Sequence, residues 1–413
     1  MKSQLNLLVL VFLGLLLSLT ACDKTVDVGP NGASLNTDDL IKAIAKRLDG
    51  KCVGYQVVVS VNGIQKSSHA YGDARLAQDG NARAMFINDK YNIASCSKTI
   101  TAAALLRALN AKQKSVNDLM YPYLPTHWKL GDGLKTVTFK QLLTHQSGFV
   151  GKTYGSGYDS LKKLVSEGLV DSKKPAKYNN ANYALMRFLI TTLGDYSVTK
   201  ISAATTTASS LTALEAKQAQ EYADDYIDYC QKYVLGVSGA GMSTLVCKPT
   251  DAAPALCYQF PKDNGPGTDF GDMTLTNAER GWTMSSVQMA AFLSTLHFTE
   301  KIIPKTLSDM MINDVAGYDS RGQTPNKMGF YAKNGGYPGK YADKVLDGAN
   351  YGKKYNNGQL ETWFFGFDNQ VQISFIANSQ VLITANSSTA PNGEYASSSI
   401  LAAFDEWYGS IKK

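Results

Sequence analysis

The sequence predicts an α+β fold in which strands from both ends of the chain form one antiparallel sheet, flanked by helices. Two observations predict this fold. Strand patterns are concentrated at 55–71 and 333–377, and helical patterns dominate the segment between them, approximately 95–300. Strands at both ends with helices between them favour one sheet with a mainly helical region inserted into it. A chain of 413 residues with 44% apolar and 18% charged residues is long and apolar enough to bury such a core.

The first residues are expected to lie outside this fold. Lys2 precedes an almost unbroken aliphatic run, and the run ends at Leu19-Thr20-Ala21. An apolar stretch that is too short to span a membrane comfortably and ends in small residues is typical of a secretory signal. We therefore interpret 1–21 as a signal peptide. The polar residues 22–36 follow as a tether.

Cys22 follows the apolar run directly. The order Leu-Thr-Ala-Cys resembles the bacterial lipobox, in which the cysteine is lipidated and becomes the first residue. This resemblance implies an exported bacterial lipoprotein on the periplasmic or cell-surface side of a membrane, held there by its lipid. The alternatives are a plain signal peptide with an incidental cysteine, or a signal anchor.

Residues 37–413 are interpreted as the folded domain. Apolar residues at helical spacing predict helices, and β-branched runs that flank the hairpin turn Asn62-Gly63 predict paired strands. The stretch 248–272 is rich in Pro, Gly and Asp and is predicted to be a long surface loop. In chain order the predicted elements are a helix that Thr37 caps, strands at 55–61 and 64–71, a buried helix at 95–111, helical segments that include 142–143, 183–193 and 211–233, strands at 333–335, 361–367 and 371–377, and an amphipathic helix at 397–411.

Composition excludes several function classes. The net charge of +6 is spread along the chain without a basic stripe, so nucleic acid is not expected as a partner. The four histidines form no His-x-His or His-Glu-x-x-His pattern, so neither a metal nor any other cofactor is predicted. Five cysteines remain after Cys22, and Cys247 with Cys257 is the best candidate for a disulfide.

A serine nucleophile activated by lysine is the next chemistry to consider, because no Gly-x-Ser-x-Gly elbow occurs. Ser-x-x-Lys occurs at Ser95, Ser160, Ser197 and Ser410. Only Ser95 leads from an apolar stretch into a core-like helix, on which Lys98 lies one turn further on the same face. The pattern alone favours the alternative of a capping serine followed by a surface lysine.

Four blocks of the sequence change this interpretation. They are Asn92-Ile93-Ala94-Ser95-Cys96-Ser97-Lys98-Thr99, Leu142-Leu143-Thr144-His145-Gln146-Ser147-Gly148-Phe149, Tyr178-Asn179-Asn180-Ala181-Asn182-Tyr183 and Lys333-Asn334-Gly335-Gly336. Together and in this order they resemble the family of serine β-lactamases, penicillin-binding proteins and related esterases, in its class C-like branch, and so favour Ser95 as a catalytic serine. The resemblance covers about 38–200 and 275–410 and implies that 37–413 is a catalytic domain with a β-lactamase/transpeptidase-like fold.

The resemblance also implies roles for individual residues. Ser95 is the expected nucleophile, with Lys98 and Tyr178 as the groups that move its proton. A Tyr178 phenol between two lysines is expected to have a lowered pKa. The block around His145 is expected to be structural, and Cys96 to be a buried, unreactive side chain. The backbone N–H groups of Ser95 and Gly336 are expected to form the oxyanion hole, and the expected substrate-binding residues are Asn180, Lys333, Asn334 and Gly335.

The expected activity is that of a serine acyl-enzyme hydrolase of the cell envelope. Its partner would be a small-molecule or peptide acyl substrate: a D-amino-acid peptide, an ester or a β-lactam-like carbonyl. A DD-peptidase or esterase is favoured over a true β-lactamase. Two departures from the family pattern leave the substrate open, namely Asn334 in place of Thr or Ser and a long stretch at 340–360. The alternatives are a non-catalytic lipoprotein that binds muropeptides or β-lactams, and a structural lipoprotein. The oligomeric state stays open.

Overall fold

The structure is a computed structural model that describes residues 35–149, 155–202, 207–259, 265–337, 359–381 and 396–412. The predicted signal peptide, Cys22 and the tether up to residue 34 lie outside the described residues, as does nearly all of the stretch at 340–360. No helix among the described residues is both long and apolar enough to cross a membrane.

Strands are concentrated toward the two ends of the chain, and most helices lie between them. The helices are α1 (Thr37–Leu48), α2 (Ser97–Ala111), α3 (Phe139–Leu143), α4 (Tyr158–Glu167), α5 (Asn180–Leu193), α6 (Ala208–Cys230), α7 (Asn277–Arg280), α8 (Ser286–Phe298), α9 (Lys305–Asn313) and α10 (Ala396–Ile411). The strands are β1 (Gly54–Val61), β2 (Ile64–Arg75), β3 (Arg83–Ala84), β4 (Tyr91–Asn92), β5 (Thr283–Met284), β6 (Ser320–Gln323), β7 (Gly329–Tyr337), β8 (Leu360–Phe367) and β9 (Val371–Ala377).

Seven strands form one antiparallel sheet in the order β3-β2-β1-β9-β8-β7-β6. The first and last parts of the chain meet at the pairing of β1 with β9, where Val57 lies opposite Phe375. The predicted α+β class and the antiparallel sheet built from both ends of the chain are therefore confirmed. Strands β4 and β5 form a separate two-stranded sheet beside the nucleophile.

Helices cover both faces of the sheet, which explains why every residue of β1 is buried. On one face α1 packs against α10, and their apolar residues form one core with the sheet. On the other face lies a larger core that contains α2, which is buried along nearly its whole length. A helix that is apolar all round belongs in the middle of a core, so the residues at its N-terminus are held firmly.

Some predicted boundaries and partners were wrong. Asn36, not Thr37, caps α1, because its side chain accepts a hydrogen bond from the Asp38 N–H. The predicted loop at 248–272 is not a surface loop throughout. Leu256, Cys257 and Tyr258 are buried, and the Tyr258 hydroxyl donates to Asp79 over 2.8 Å.

The proposed disulfide is also wrong. Cys247 and Cys257 are free, as are the other three cysteines in the described part of the chain, and all five are buried. Cys247 and Cys257 are surrounded by apolar groups, and burial raises the pKa of each thiol above its usual value. Both cysteines therefore act as small apolar side chains of the core.

Candidate active site

Ser95 lies in a tight 3-10 turn, Ala94–Cys96, between β4 and α2. Ala94 has a φ of 45°, which is unusual for a residue with a side chain. Its N–H donates to the Asn92 side chain over 2.7 Å, and the Thr362 hydroxyl donates to the Ile93 carbonyl over 2.9 Å. A strained backbone persists only where the surroundings over-determine it, and such strain is concentrated at functional sites.

Lys98 reaches back from the first turn of α2 toward the serine. Its Nζ donates to Ser95 Oγ over 2.9 Å and to the Glu279 carbonyl over 2.8 Å. The side chain is completely buried. Burial, followed by the positive charge of Lys333, lowers the pKa of Lys98 to about 7. Because the neutral amine is then accessible at physiological pH, Lys98 can accept a proton from Ser95.

Tyr178 stands on the other side of the serine hydroxyl. Its OH lies 2.8 Å from Ser95 Oγ, and its ring lies between two ammonium groups, with the Lys98 and Lys333 Nζ atoms 5.1 and 5.3 Å from the ring centroid. The residue is 48% exposed, but its hydroxyl points into the cleft. Burial raises the pKa of Tyr178, so the expectation of a lowered pKa was wrong. Tyr178 therefore stays protonated and can donate.

His145 positions Tyr178 from behind. The two rings lie 4.6 Å apart between centroids, and the Asn179 N–H donates to His145 Nδ1 over 3.3 Å. Asn179 caps α5, on which Asn182 also contacts His145. Burial, followed by the charges of Lys98 and Lys333, lowers the pKa of His145 to about 3, so the ring is neutral. These contacts fit the structural role that was expected for this block.

The strand β7 forms the opposite wall. A Cβ on Gly335 would lie 2.5 Å from the Ile93 carbonyl oxygen and 2.9 Å from the Ser95 nitrogen, so only glycine lets the strand pack against the nucleophile turn. Gly335 was expected to bind substrate; it lines the cavity, and its lack of a side chain also makes room for the turn. Gly336 is exposed and lines the same cavity as Ser95.

Lys333 is placed differently from expectation. Its side chain is 1% exposed and does not line the cavity, and its Nζ donates to Asp319 over 2.6 Å. The other Asp319 oxygen accepts the Asn334 N–H over 2.8 Å. The expected direct contact of Lys333 with substrate is therefore not supported, because the charge on the wall belongs to Asp319. Sequence reasoning missed Asp319, since no motif marks it.

Cys96, the residue after the nucleophile, faces the core. Its thiol is buried against the Lys333 carbonyl and the Thr362 hydroxyl. Burial raises the pKa of Cys96 to about 12, which makes the thiol unreactive, as expected.

A cavity of about 860 Å³ lies beside Ser95 and Tyr178. This volume suits a small molecule or a short peptide segment. The cavity brings together the predicted residues Ser95, Tyr178, Asn180 and 334–336. The sequence did not indicate its outer wall, which includes Trp363 and an ion pair between Lys140 and Asp314 at 2.8 Å.

Charged side chains are also buried beneath Lys98. The Glu279 carboxylate is inaccessible to solvent, and its Oε1 lies 3.0 Å from Arg280 Nε without a hydrogen-bond geometry. Neither Glu279 oxygen has a hydrogen-bond partner within the described residues. The Glu279 charge raises the pKa of Lys98 and so opposes the effect of burial.

Known proteins resemble this chain in sequence and in fold. The model of a family described as beta-lactamase matches residues 38–379. A Bacillus subtilis (strain 168) protein named as a penicillin-binding protein, PbpX, is 29% identical over 104 residues. That match covers 24% of this chain and 26% of the relative, so it spans about a quarter of the curated relative's length.

Solved structures share the fold over most of the chain. A beta-lactamase/D-alanine carboxypeptidase from Yersinia pestis is similar with a TM-score of 0.58 at 12% identity, over 92% of this chain and 100% of that one. EstCE1, a hydrolase with promiscuous acyltransferase activity, is similar with a TM-score of 0.58 at 13% identity, over 89% and 98%. At this identity the likeness shows the fold.

Proposed function

The chain belongs to the beta-lactamase family, and from that premise we propose that it is a serine hydrolase that works through an acyl-enzyme on Ser95. Family membership and the structural neighbours support a serine hydrolase in general. One observation carries the assignment of residues, namely that Ser95 Oγ lies within 2.9 Å of both the Lys98 amine and the Tyr178 hydroxyl. A serine held between a neutral amine and a phenol has a base and a proton donor in place.

The proposed reaction begins when Ser95 Oγ bonds to the substrate carbonyl carbon and its proton passes to Lys98. The backbone N–H groups of Ser95 and Gly336 hold the developing oxyanion. The bond to the leaving group then breaks, and Tyr178 delivers the proton that the leaving group needs. Lys98 then passes the proton that it took from Ser95 to Tyr178, which restores both groups. A water molecule attacks the acyl-enzyme and gives one proton to Lys98, and this proton goes to Ser95 Oγ as the product acid leaves.

The proposed substrates are D-amino-acid peptides, esters or β-lactam-like carbonyls, with a DD-peptidase or esterase activity favoured over that of a true β-lactamase. Asn180 and Asn334 line the cavity and would supply hydrogen bonds to the bound substrate. The names of the structural neighbours cover carboxypeptidase, β-lactamase and hydrolase activities, which is the same range.

A non-catalytic binding lipoprotein is the competing candidate. A protein that only binds its ligand needs no basic amine beside the serine. Here Lys98 is buried in contact with Ser95, and its pKa is lowered to about 7. A lowered lysine pKa at a serine in a cleft supports catalysis over simple binding.

We further propose that the enzyme is exported and anchored through lipidated Cys22. The support is the order of apolar run, small residues and cysteine in the sequence. Leu35 is buried and Asn36 caps α1, so the last two residues of the proposed tether already belong to the folded domain.

Hydrolysis of a substrate panel tests the proposed function. The panel contains p-nitrophenyl esters, D-Ala-D-Ala peptides and β-lactams, and initial rates are measured for the wild type and two variants. Ser95→Ala is expected to lose about 10⁴-fold or more in turnover of every substrate that the wild type accepts.

The matched control is Ser160→Ala, which removes the serine of another Ser-x-x-Lys pattern, on α4 and away from the cavity lining. It is expected to keep wild-type rates. Binding without turnover in the wild type would favour the competing candidate, and wild-type turnover in Ser95→Ala would refute the assignment.

A further inference from the structure

The cation that sequence reasoning assigned to substrate binding is neutralised in the structure. The Lys333 ammonium is buried and donates to Asp319 Oδ1 over 2.6 Å. Taking Lys333 out of water is compensated by this ion pair, so the ammonium has little remaining capacity to attract a second anion.

Asp319 is fixed in place by three hydrogen bonds. Its N–H donates to the Ala332 carbonyl over 2.8 Å, and its second carboxylate oxygen accepts the Asn334 N–H over 2.8 Å. The side chain is 25% exposed and lines the cavity. Because Lys333 is only 1% exposed, the Asp319 carboxylate is the member of the pair that faces the cavity, which Ser95, Gly335 and Gly336 also line.

The other charged side chains on the described wall do not offset the negative charge of Asp319. Lys140 is paired with Asp314 at 2.8 Å. Glu361 accepts hydrogen bonds from Trp363 Nε1 and the Ala396 N–H. Lys177 also lines the cavity, but it belongs to the exposed segment that leads to Tyr178 and not to β7. The described wall beside β7 therefore offers a carboxylate and the Asn334 amide, and no unpaired ammonium.

We propose that the Asp319–Lys333 pair makes this site select acyl donors with no carboxylate within about 6 Å of the scissile carbonyl, a distance over which charges in a protein site interact strongly. Uncharged and amine-bearing esters or amides are the substrate class. This inference rests on the proposed function and deepens it. The covalent step is unchanged: water cleaves the bond between the acyl group and its leaving group, and the two products take up its hydroxyl and its proton.

Three aryl acetates test the selection. They carry a 3-carboxylate, a 3-carboxamide or a 3-aminomethyl group on the phenol, and each kcat/KM is normalised to the rate of hydroxide hydrolysis. The wild type is expected to prefer the carboxamide and the aminomethyl ester over the carboxylate ester by about tenfold or more, because close like charges repel.

Asp319→Asn is the diagnostic variant, because it removes the anion and leaves the Lys333 ammonium unpaired. Its selectivity against the carboxylate ester is expected to fall about tenfold relative to the wild type. Selectivity is a ratio within one protein, so a general loss of activity does not obscure it. The matched control Asp309→Asn removes the carboxylate of an exposed ion pair with Lys305 on α9, outside the cavity lining, and is expected to leave the ratio unchanged.

The outcomes separate the two proposals. Ser95-dependent hydrolysis with equal or greater activity on the carboxylate ester overturns the selection while leaving the hydrolase intact, and so does an unchanged ratio in folded Asp319→Asn. If that variant does not fold, the wild-type order of the three esters decides alone. Absence of Ser95-dependent hydrolysis of all three contradicts the proposed function, and the selection with it.

Discussion

At the scale of single residues, the reactivity of the site depends on the Lys98 amine. Burial and the nearby Lys333 charge bring its pKa to about 7. The rate of Ser95 acylation should therefore rise with pH through 7 and level off above it. At pH 5 about 1% of the amine is neutral, so the rate should be about 100-fold below the plateau. A pH profile of kcat/KM measures this, and a flat profile from pH 5 to 9 would contradict Lys98 as the base.

The buried Glu279 carboxylate gives a second test of the same amine. Its negative charge raises the pKa of Lys98, so Glu279→Gln should lower that pKa further. The acid limb of the pH profile, in which the rate rises with pH, should therefore move to lower pH by roughly one unit. Asp314→Asn serves as the control, because Asp314 lines the cavity but pairs with Lys140. A limb that stays in place or moves to higher pH in Glu279→Gln would show that Glu279 does not influence the base.

Tyr178 is predicted to act through its hydroxyl and not through its ring. Tyr178→Phe keeps the ring against His145 and between the two lysines, but removes the OH that lies 2.8 Å from Ser95 Oγ. Because a positioned acid contributes about 10²–10⁴-fold, kcat should fall by at least 10² while KM changes little. Steady-state kinetics with one ester separates the two constants. A variant with wild-type kcat would remove Tyr178 from the mechanism.

The sequence indicated Ser95, Lys98 and Tyr178 through the resemblance of four ordered blocks to the family, because Ser-x-x-Lys alone occurs four times and favours a capping serine. It did not indicate the direction of the Tyr178 pKa shift, since that direction depends on how deeply the hydroxyl is buried. The sequence also did not indicate Asp319. Its ion pair with Lys333 joins residues that are 14 positions apart in the chain, and it depends on how the chain folds.

At the scale of elements, the position of the nucleophile turn depends on its contact with β7. Gly335→Ala would place a methyl group 2.5 Å from the Ile93 carbonyl oxygen. This oxygen is a backbone atom, so relieving the contact requires an energetically costly shift of the backbone. A displacement of about 1 Å at a reacting group costs about 100-fold, so activity should fall by that factor or more. Initial rates with one ester, together with circular dichroism to confirm folding, measure the effect.

The neighbouring glycine provides the comparison for that variant. A Cβ on Gly336 would meet only the Leu360 carbonyl oxygen, at 3.0 Å, and alanine keeps the backbone N–H. Gly336→Ala should therefore lose less than about tenfold, since no reacting group moves. Equal losses in the two alanine variants would show that the contact with Ile93 does not set the position of the turn.

Element types were more predictable than their ends and their environments. The strand β9 matches its predicted bounds because apolar and polar residues alternate along most of it, as in a strand, whereas the predicted helix at 95–111 begins with a 3-10 turn and becomes α-helical at Ser97. The composition of 248–272 favours a loop, yet Leu256 and Tyr258 pack beneath the sheet edge. Burial of such a segment depends on partners elsewhere in the chain, such as Asp79 and Asn378, which local composition does not reveal.

At the scale of the whole molecule, the site exists because the two ends of the chain share one sheet. The pairing of β1 with β9 brings β7 next to the turn that holds Ser95, more than two hundred residues earlier in the sequence. The order of the four sequence blocks predicted this assembly through family resemblance. The cavity volume and the ion pairs on its wall could not be predicted, because they depend on how separate elements pack.

Membrane attachment is a further prediction about the whole chain. Cells that express the protein should incorporate radiolabelled palmitate into it, and Cys22→Ala should abolish the label. Cys52→Ala is the control, because Cys52 is buried in the folded domain and should not affect labelling. A wild type without label, or a labelled Cys22→Ala, would contradict the lipid anchor.

The central claim is that Ser95 is the residue that becomes acylated, and intact-protein mass spectrometry after treatment with a fluorophosphonate tests it most directly. The account predicts a single covalent adduct on the wild type and on Ser160→Ala, located at Ser95 by peptide mapping, and no adduct on Ser95→Ala. An adduct that persists on Ser95→Ala, or a wild type that gains no mass while it hydrolyses an ester, would contradict it.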